Sequence, residues 1–314
     1  MRSAPLTRKT HKRRFISITR CWQLYIFLSL PLLYLTVFRY MPMVGAQIAF
    51  RKFTPVGGLW YSPWVGFQNF LKFFRSYQFE RVITNTLSLS LYSLVAGFPL
   101  PILLALFMNA MRGQRLKRTV QTIVYIPYFI STVVLVGMLL QFFNARFGVY
   151  GTLSRLMTGK FPADLFGKSA IFPHLYVWSG VWQYAGWNSI IYFAALSVVS
   201  PELHEAAEID GASRLKRLYH IDLQAVLPTA TMLLILNAGQ MMNVGFEKTY
   251  LMQNSLNLRT SEVISTYVYK VGIAEGGGDF SYASAIGLFN SVVNMALLLI
   301  VNATTRRLGG NSIW

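Results

Sequence analysis

At 314 residues, with 54% hydrophobic and only 13% charged side chains, the chain is too apolar for a pair of soluble domains. It reads as an integral membrane protein, in which length counts crossings rather than domains. A net charge of +18 would suggest nucleic acid in a soluble protein, but seven of the 29 Lys and Arg lie at or before Arg20, ahead of the first apolar run. There they serve as a topology signal beside anionic lipid head groups, and no nucleic-acid partner is expected. The lone cysteine, Cys21, excludes an internal disulfide and a cysteine metal cluster.

The first apolar run begins near Trp22. Basic residues precede it, as in a secretory signal, but it is long, aromatic and without a small-residue cleavage site, so a retained first helix is expected. Six runs reach the roughly 20 residues needed to cross a hydrocarbon core of about 30 Å. They cover approximately 22–40, 85–109, 119–143, 170–198, 227–246 and 283–303. With the N-terminus inside, the inner segments carry 16 of the Lys and Arg and the outer ones 13, although the inner segments are much shorter in total. Positive density is the orienting signal, so both termini are expected in the cytoplasm. The expected fold class is an all-α integral membrane protein with six transmembrane helices.

Between the first two runs, the outer segment from Met41 to Thr84 is rich in aromatics, Gly and Pro. Its Trp60, Tyr61, Trp64 and Phe67 suit a membrane–water interface or a docking partner. Pro99 and Pro101 in the second run and Pro127 in the third remove backbone donors and predict kinks. Gly276, Gly277 and Gly278 predict a flexible last outer loop.

One stretch, Ser200 to Thr229, is densely charged yet lies between two apolar runs. Ser200, Pro201 and Glu202 form a helix start: a side-chain cap, a ring with its dihedral preset and an acid near the positive end of the dipole. Gly211 supplies a stop. Ser213 can cap a second short helix bearing Arg214, Lys216 and Arg217, with Leu215, Leu218 and Tyr219 forming one apolar stripe. Such a helix, bend, helix unit on the cytoplasmic face is shaped for another protein to grip.

Little else carries chemistry. Gly167, Lys168 and Ser169 imitate the end of a phosphate-binding loop, but Pro162 occupies the earlier glycine position. His11, His174, His204 and His220 have no metal-site spacing, and His204 and His220 are expected to face solvent or a partner. The last five spans carry no Asp, Glu, Lys or Arg in their central parts, which argues against a proton- or ion-coupled carrier and leaves anionic cargo without a basic partner in the spans. Amides do recur. Gln183 and Asn188 accompany Trp182, Tyr184 and Trp187 in the fourth run, while Asn237, Gln240 and Asn243 share a sector of about 120° in the fifth. Amides flanked by rings suit a neutral, hydroxyl-rich solute, but amides also bond neighbouring membrane helices, and both readings stand.

Glu205-Ala206-Ala207, then Asp210-Gly211-Ala212, then Ile221, Leu223 and Pro228 resemble the EAA motif of permease subunits in type I ATP-binding-cassette (ABC) importers. Asn85-Thr86-Leu87 looks like the opening of the same family's transmembrane region, and the resemblance continues to about Arg307. The long first outer loop, Phe147-Gly148 and the terminal Ser312-Ile313-Trp314 look most like the maltose-type branch, closest to permeases for complex oligosaccharides and polysaccharides, alginate included. The resemblance implies a MetI-like transmembrane domain organised as a basic segment 1–21, a first helix and outer loop 22–84, a permease core 85–307 with its coupling unit at 200–229, and a tail 308–314.

It further implies that Glu205 to Gly211 form a coupling helix seated in an ATPase subunit, with Glu205, Ala206, Ala207, Asp210, Gly211, Ala212, Ile221 and Pro228 as the coupling residues. The implied partners are a second permease completing a heterodimer, two ATPase subunits and an extracytoplasmic solute-binding protein. ATP and Mg would bind those ATPases, with no cofactor or catalytic residue in this chain, which would sit multi-pass in a bacterial inner membrane. The implied cargo is a carbohydrate moved by alternating access, along a path for which Trp182, Gln183, Tyr184, Trp187, Asn188, Asn237, Gln240 and Asn243 are the candidates. A peptide, amino acid or glycerol phosphate is the alternative cargo, and a non-transporting membrane scaffold the alternative class. Two departures, Gln224 in place of the usual proline and Leu218 in place of an aromatic, bear on the packing of the second short helix.

Overall fold

The computed structural model describes residues 22–111, 113–274 and 278–307. These are helical apart from connecting turns and one antiparallel bridge between Arg51 and Trp64. Gly276, Gly277, Cys21, the basic N-terminal cluster and Ser312-Ile313-Trp314 lie outside the described residues.

α1 (Trp22–Leu35) continues through a π turn at Thr36–Tyr40 and a 3₁₀ segment at Met41–Phe50 into a 29-residue apolar helix. It is apolar all round yet buries none of Trp22–Leu35, as a lipid-facing span requires. Only its Met41–Phe50 end packs on the last helix. The segment that follows leaves Trp60, Tyr61, Trp64 and Phe67 exposed. It is held down by a Lys72–Asp279 ion pair of 2.7 Å and by Phe53 N donating to Ser281 Oγ at 2.8 Å.

α2 (Gln78–Gly97) and α3 (Pro99–Ala110) form the second apolar helix, 33 residues long. Pro99 cannot donate, so the backbone ladder is interrupted where α2 hands over to α3. The third run differs from the single kinked span expected over 119–143. α4 (Gln114–Tyr125) and α5 (Thr132–Phe142) meet at a 97° bend through a turn at Ile126–Phe129. Pro127 starts the break, and Ser131 Oγ restarts the helix by accepting from Val134 N at 3.3 Å. After α6 (Val149–Thr158) comes α7 (Phe172–Leu196), 25 residues without a charge. It is long enough to cross but more polar than the other spans, because it carries the amides and several of the tryptophan and tyrosine rings.

The charged stretch begins with α8 (Pro201–Ile209). The second short helix expected after Ser213 is not a separate element. α9 (Arg214–Arg217) runs through a π turn at Leu218–Asp222 into α10 (Leu223–Ala238), and Arg214–Ala238 is one 25-residue apolar helix. Gln224 has an N–H to donate and no ring to clash, so nothing local breaks the helix at the position where proline was expected. The fifth run therefore starts well before residue 227 and ends at Ala238 rather than 246. α11 (Phe246–Met252), α12 (Ile264–Tyr269) and the 28-residue α13 (Phe280–Arg307) complete the fold. Among the described residues, four helices are long and apolar enough to cross a membrane, or five if the bent α4–α5 pair is counted as one span.

α7 is the central post, packed against α2, α3 and α10. One apolar cluster joins Leu89, Phe172, Val177 and Met252, and another joins Ala105, Leu106, Tyr192, Val226 and Ala230. A third gathers Phe73, Val82, Ile264 and Ile286 around the first half of α13. Gly186 of α7 lets the α4 backbone come very close: a Cβ there would lie 2.0 Å from Val124 O. Gly186→Val is expected to cost about 1–3 kcal/mol through overpacking, read as a lower unfolding temperature in detergent. An unchanged temperature would mean that the two helices do not meet there.

Candidate functional site

The charged unit from Ser200 to Thr229 is built by local rules. Ser200 Oγ accepts from Glu202 N at 3.3 Å and Ser213 Oγ from Lys216 N at 3.4 Å, so both serines cap as their spacing predicted. α8 is closed by Ala212 N donating to Ala207 O at 2.9 Å and Gly211 N to Glu208 O at 3.0 Å. Gly211 takes φ +76°, the left-handed region that this closure needs. Glu205, Ala206, Asp210 and Gly211 are exposed, Ala207, Ala212 and Ile221 are half-buried, and Pro228 lies exposed inside α10. Leu203, Ile209, Leu215 and Tyr219 leave large apolar surfaces in solvent on the same unit, with Ile209 87% exposed. Apolar side chains ringed by charge make this surface a candidate docking face.

Beneath that face the unit is latched to the spans. Arg217 donates from Nη1 to Glu208 Oε2 at 2.6 Å and to the His204 carbonyl at 3.3 Å. His204, expected to face solvent or a partner, is instead half-buried, with Nε2 3.3 Å from Asp222 Oδ1. Asn109 Nδ2 of α3 reaches the same oxygen at 3.2 Å. Asp222 is buried in the π turn, so one carboxylate ties α8, the foot of α10 and the end of α3 together. Movement of α8 must therefore reach two spans. Sequence spacing could not show this latch, because Asn109 and Asp222 are far apart along the chain.

A cavity of about 1090 Å³ opens among α2, α3, α7, α10 and α11. Of the eight candidate path residues, Tyr184, Trp187, Asn188, Asn237, Gln240 and Asn243 line it, and Trp182 and Gln183 do not. Trp182 points outward from the helix and is exposed, whereas Gln183 is 2% exposed. The reason is the 97° bend: Gln183 Nε2 donates to Ile130 O at 2.8 Å, satisfying a carbonyl that the break releases. Asn243 is divided between both readings of its amide. It lines the cavity, but it donates to Gln240 Oε1 at 2.9 Å while its Oδ1 accepts from Asn290 and Asn294 of α13, each at 3.0 Å. The side-chain amides of Asn188 and Asn237 make no hydrogen bond to the described residues, and the Trp187 ring stacks on Tyr128 with centroids 4.2 Å apart.

Sequence reasoning missed Ser90, Ser93, Tyr176, Glu247 and Lys248, all in the same wall. Ser90 and Ser93 belong to a span, but no period marks them. Lys248 lies beyond the end of the fifth span, in a segment with no membrane signal, and only the packing of α11 against α5 and α7 brings it inward. The spans themselves carry no charge here, yet the cavity does. Among the described residues, no group of three His, Cys, Asp or Glu is placed to hold a metal.

Residues 97–310 match the family described as binding-protein-dependent transport system inner membrane component. The chain is 37% identical over 98% of its length to the polygalacturonan/rhamnogalacturonan transport system permease protein YteP of Bacillus subtilis (strain 168), covering 95% of that protein. It is 40% identical to Protein LplB of the same organism, over 90% of this chain and 88% of that one. Two solved structures share the fold. One is a chain of a bacterial ABC transporter involved in the import of the acidic polysaccharide alginate, with a TM-score of 0.85, 37% identity and coverage of 94% of this chain and 99% of that one. The other is a bacterial alginate ABC transporter in complex with an alginate pentasaccharide-bound periplasmic protein, with a TM-score of 0.86, 36% identity and coverage of 96% and 100%. With the capped charged unit and the cavity in view, the chain belongs to the family of binding-protein-dependent transport system inner membrane components.

Proposed function

We propose that this chain is a permease subunit of an ABC importer that moves a carbohydrate across a bacterial inner membrane, its cargo an oligosaccharide or polysaccharide. The observation that carries the reading is the pairing of a latched, exposed coupling unit with a cavity lined by free amides and rings, on a fold shared with alginate-importer chains. Amides donate and accept to hydroxyls while a ring covers an apolar sugar face. Relatives named for polygalacturonan and alginate support the same class of cargo.

In this reading the chain crosses six times with both termini in the cytoplasm, and 85–307 is the permease core. It has no ATP site of its own, is not itself an enzyme, and pairs with a second permease that closes the cavity. Two ATPase subunits, which bind ATP and Mg, grip Glu205 to Ala212. A solute-binding protein delivers cargo to the outer segment around Trp60 to Phe67. ATPase closure pushes on α8, and the His204–Asp222–Asn109 latch passes the movement to α3 and α10. The bend at Ile126–Ser131 and the π turn at Leu218–Asp222 are the breaks about which the helices can pivot.

Uptake of labelled oligogalacturonate by proteoliposomes holding the full importer checks this. Uptake should require the binding protein and internal ATP. ATPase activity that no oligosaccharide-loaded binding protein stimulates would refute the carbohydrate reading.

A further inference from the structure

The spans offer no charge to cargo, but the cavity wall holds two charged side chains, the exposed Glu247 and the buried Lys248. Lys248 is 8% exposed and lines the cavity. Its Nζ donates to the Tyr176 carbonyl at 2.8 Å and lies 4.8 Å from the centre of the Tyr176 ring. An ammonium has three donors, and one is accounted for. Among the described residues no carboxylate forms an ion pair with it. A buried cation with no carboxylate in ion-pair contact is costly to maintain, and a chain that keeps one inside a ligand-sized cavity gains if the ligand brings an anion into contact with it.

We propose that Lys248 is the anion-recognising group of the translocation cavity and that the sugar it accepts carries a carboxylate, as a uronic acid does. The proposal rests on the carbohydrate reading above and specifies it. The surrounding wall fits such a cargo: Asn188, Asn237, Ser93 and Gln240 offer hydrogen bonds for hydroxyls, Trp187 offers a ring face, and Lys248 meets the carboxylate. The simpler role for Lys248 is a strut that pins α11 to α7 through the Tyr176 carbonyl. A strut needs a donor but not a charge, and this separates the two roles.

Burial pushes the Lys248 ammonium down to about 8. The titratable groups around it are Glu247 on its own helix and Tyr176 and Tyr184 on α7, all lining the same cavity. α5 brings none, and Tyr269 of α12 meets Phe246 and Tyr250 instead. Above about pH 8 the group loses its proton and with it the charge that holds a carboxylate.

The test uses proteoliposomes carrying the complete importer and its binding protein, with trigalacturonate and its neutral methyl ester as cargoes. Comparing each variant with wild type for one cargo at a time cancels the selectivity of the binding protein. Lys248→Gln should raise KM for trigalacturonate about tenfold or more, the loss expected for one charge-assisted contact, and leave the ester nearly unchanged. Lys248→Arg should retain uptake of the acid. Wild-type uptake of the acid should fall as pH rises through about 8, while Lys248→Arg stays flat. Equal losses on both cargoes in both variants, or a wild-type profile flat across pH 8 with no effect of Lys248→Gln, would make Lys248 a strut and overturn the proposal. Efficient wild-type uptake of the ester but not the acid would overturn it while the importer reading stands. Transport of neither, with no stimulated ATPase activity, would remove the importer reading and the proposal together.

Discussion

Replacing Gly211 with valine is expected to reduce binding-protein-stimulated ATPase activity and uptake at least tenfold. Gly211 sits at φ +76°, where a β-branched residue is strained by about 1–2 kcal/mol. An ideal Cβ at Gly211 would touch nothing within 4 Å, so the penalty is one of backbone shape and not of crowding. Valine would relieve it by opening the turn between α8 and α9. The bonds from Ala212 N to Ala207 O and Gly211 N to Glu208 O would be lost, and the exposed face of α8 would tilt away from its partner. Gly211→Asn is the control, since asparagine tolerates the left-handed region, and it should keep most of the activity. Stimulated ATPase activity in reconstituted vesicles measures the effect. Full activity in the valine variant would mean that the angle of α8 does not matter to coupling.

The second large effect is on stability and lies on the opposite side of the protein. Glu262, with its side chain 3% exposed, is paired with Arg81 and has Lys270 Nζ at 3.8 Å. Asn85 Nδ2 donates to the carbonyls of Arg259 and Glu262, both at 3.0 Å, and Thr86 Oγ1 accepts from Ile264 N at 3.0 Å. These residues bolt the start of α2 to the segment that leads into α12. Arg81→Met would leave a buried carboxylate facing only the longer contact to Lys270. The expected loss is about 2–3 kcal/mol, toward the low end for a broken buried pair because Arg81 is partly exposed. Unfolding temperature in detergent should drop, and the double variant Arg81→Met with Glu262→Met should recover much of the loss by removing the orphaned charge. An unchanged temperature in Arg81→Met would show that Lys270 alone satisfies Glu262.

The local shape of the unit from Ser200 to Thr229 was legible before the fold because its determinants are local. Serine caps, a proline at the first helical position and a glycine at the stop act on their own neighbours, and each does so in the structure. The number and register of apolar helices were partly legible, since length and hydropathy identify candidate spans but do not locate breaks. Pro127 announced a kink and delivered a right-angle turn, because Ser131 caps a new helix and Gln183 receives the freed carbonyl from another span. That second partner cannot be read from a single helix. The same contact explains why Gln183 leaves the cavity while Asn188, one and a half turns on, lines it.

Lys248 and the His204–Asp222–Asn109 latch were illegible for a related reason. A lysine just past a span looks like any loop lysine until α11 folds it against α7. His204 looks like a surface residue until the π turn presents Asp222 to it. In both cases the chemistry depends on a close approach between residues far apart in sequence, and hydropathy does not encode that distance.

The central claim is that the unit from Ser200 to Thr229 is where separate ATPase subunits grip this permease. The most direct measurement places a cysteine at Ile209, the most exposed apolar side chain of α8, in a full importer whose natural Cys21 is replaced by serine. A short thiol cross-linker should join Ile209→Cys to an ATPase subunit, with a yield that changes when ATP is trapped. The same reagent at Tyr61→Cys, on the outer segment, should capture the binding protein and no ATPase. Cross-linking of the ATPase at Tyr61 but not at Ile209 would contradict both the docking surface and the orientation on which the account depends.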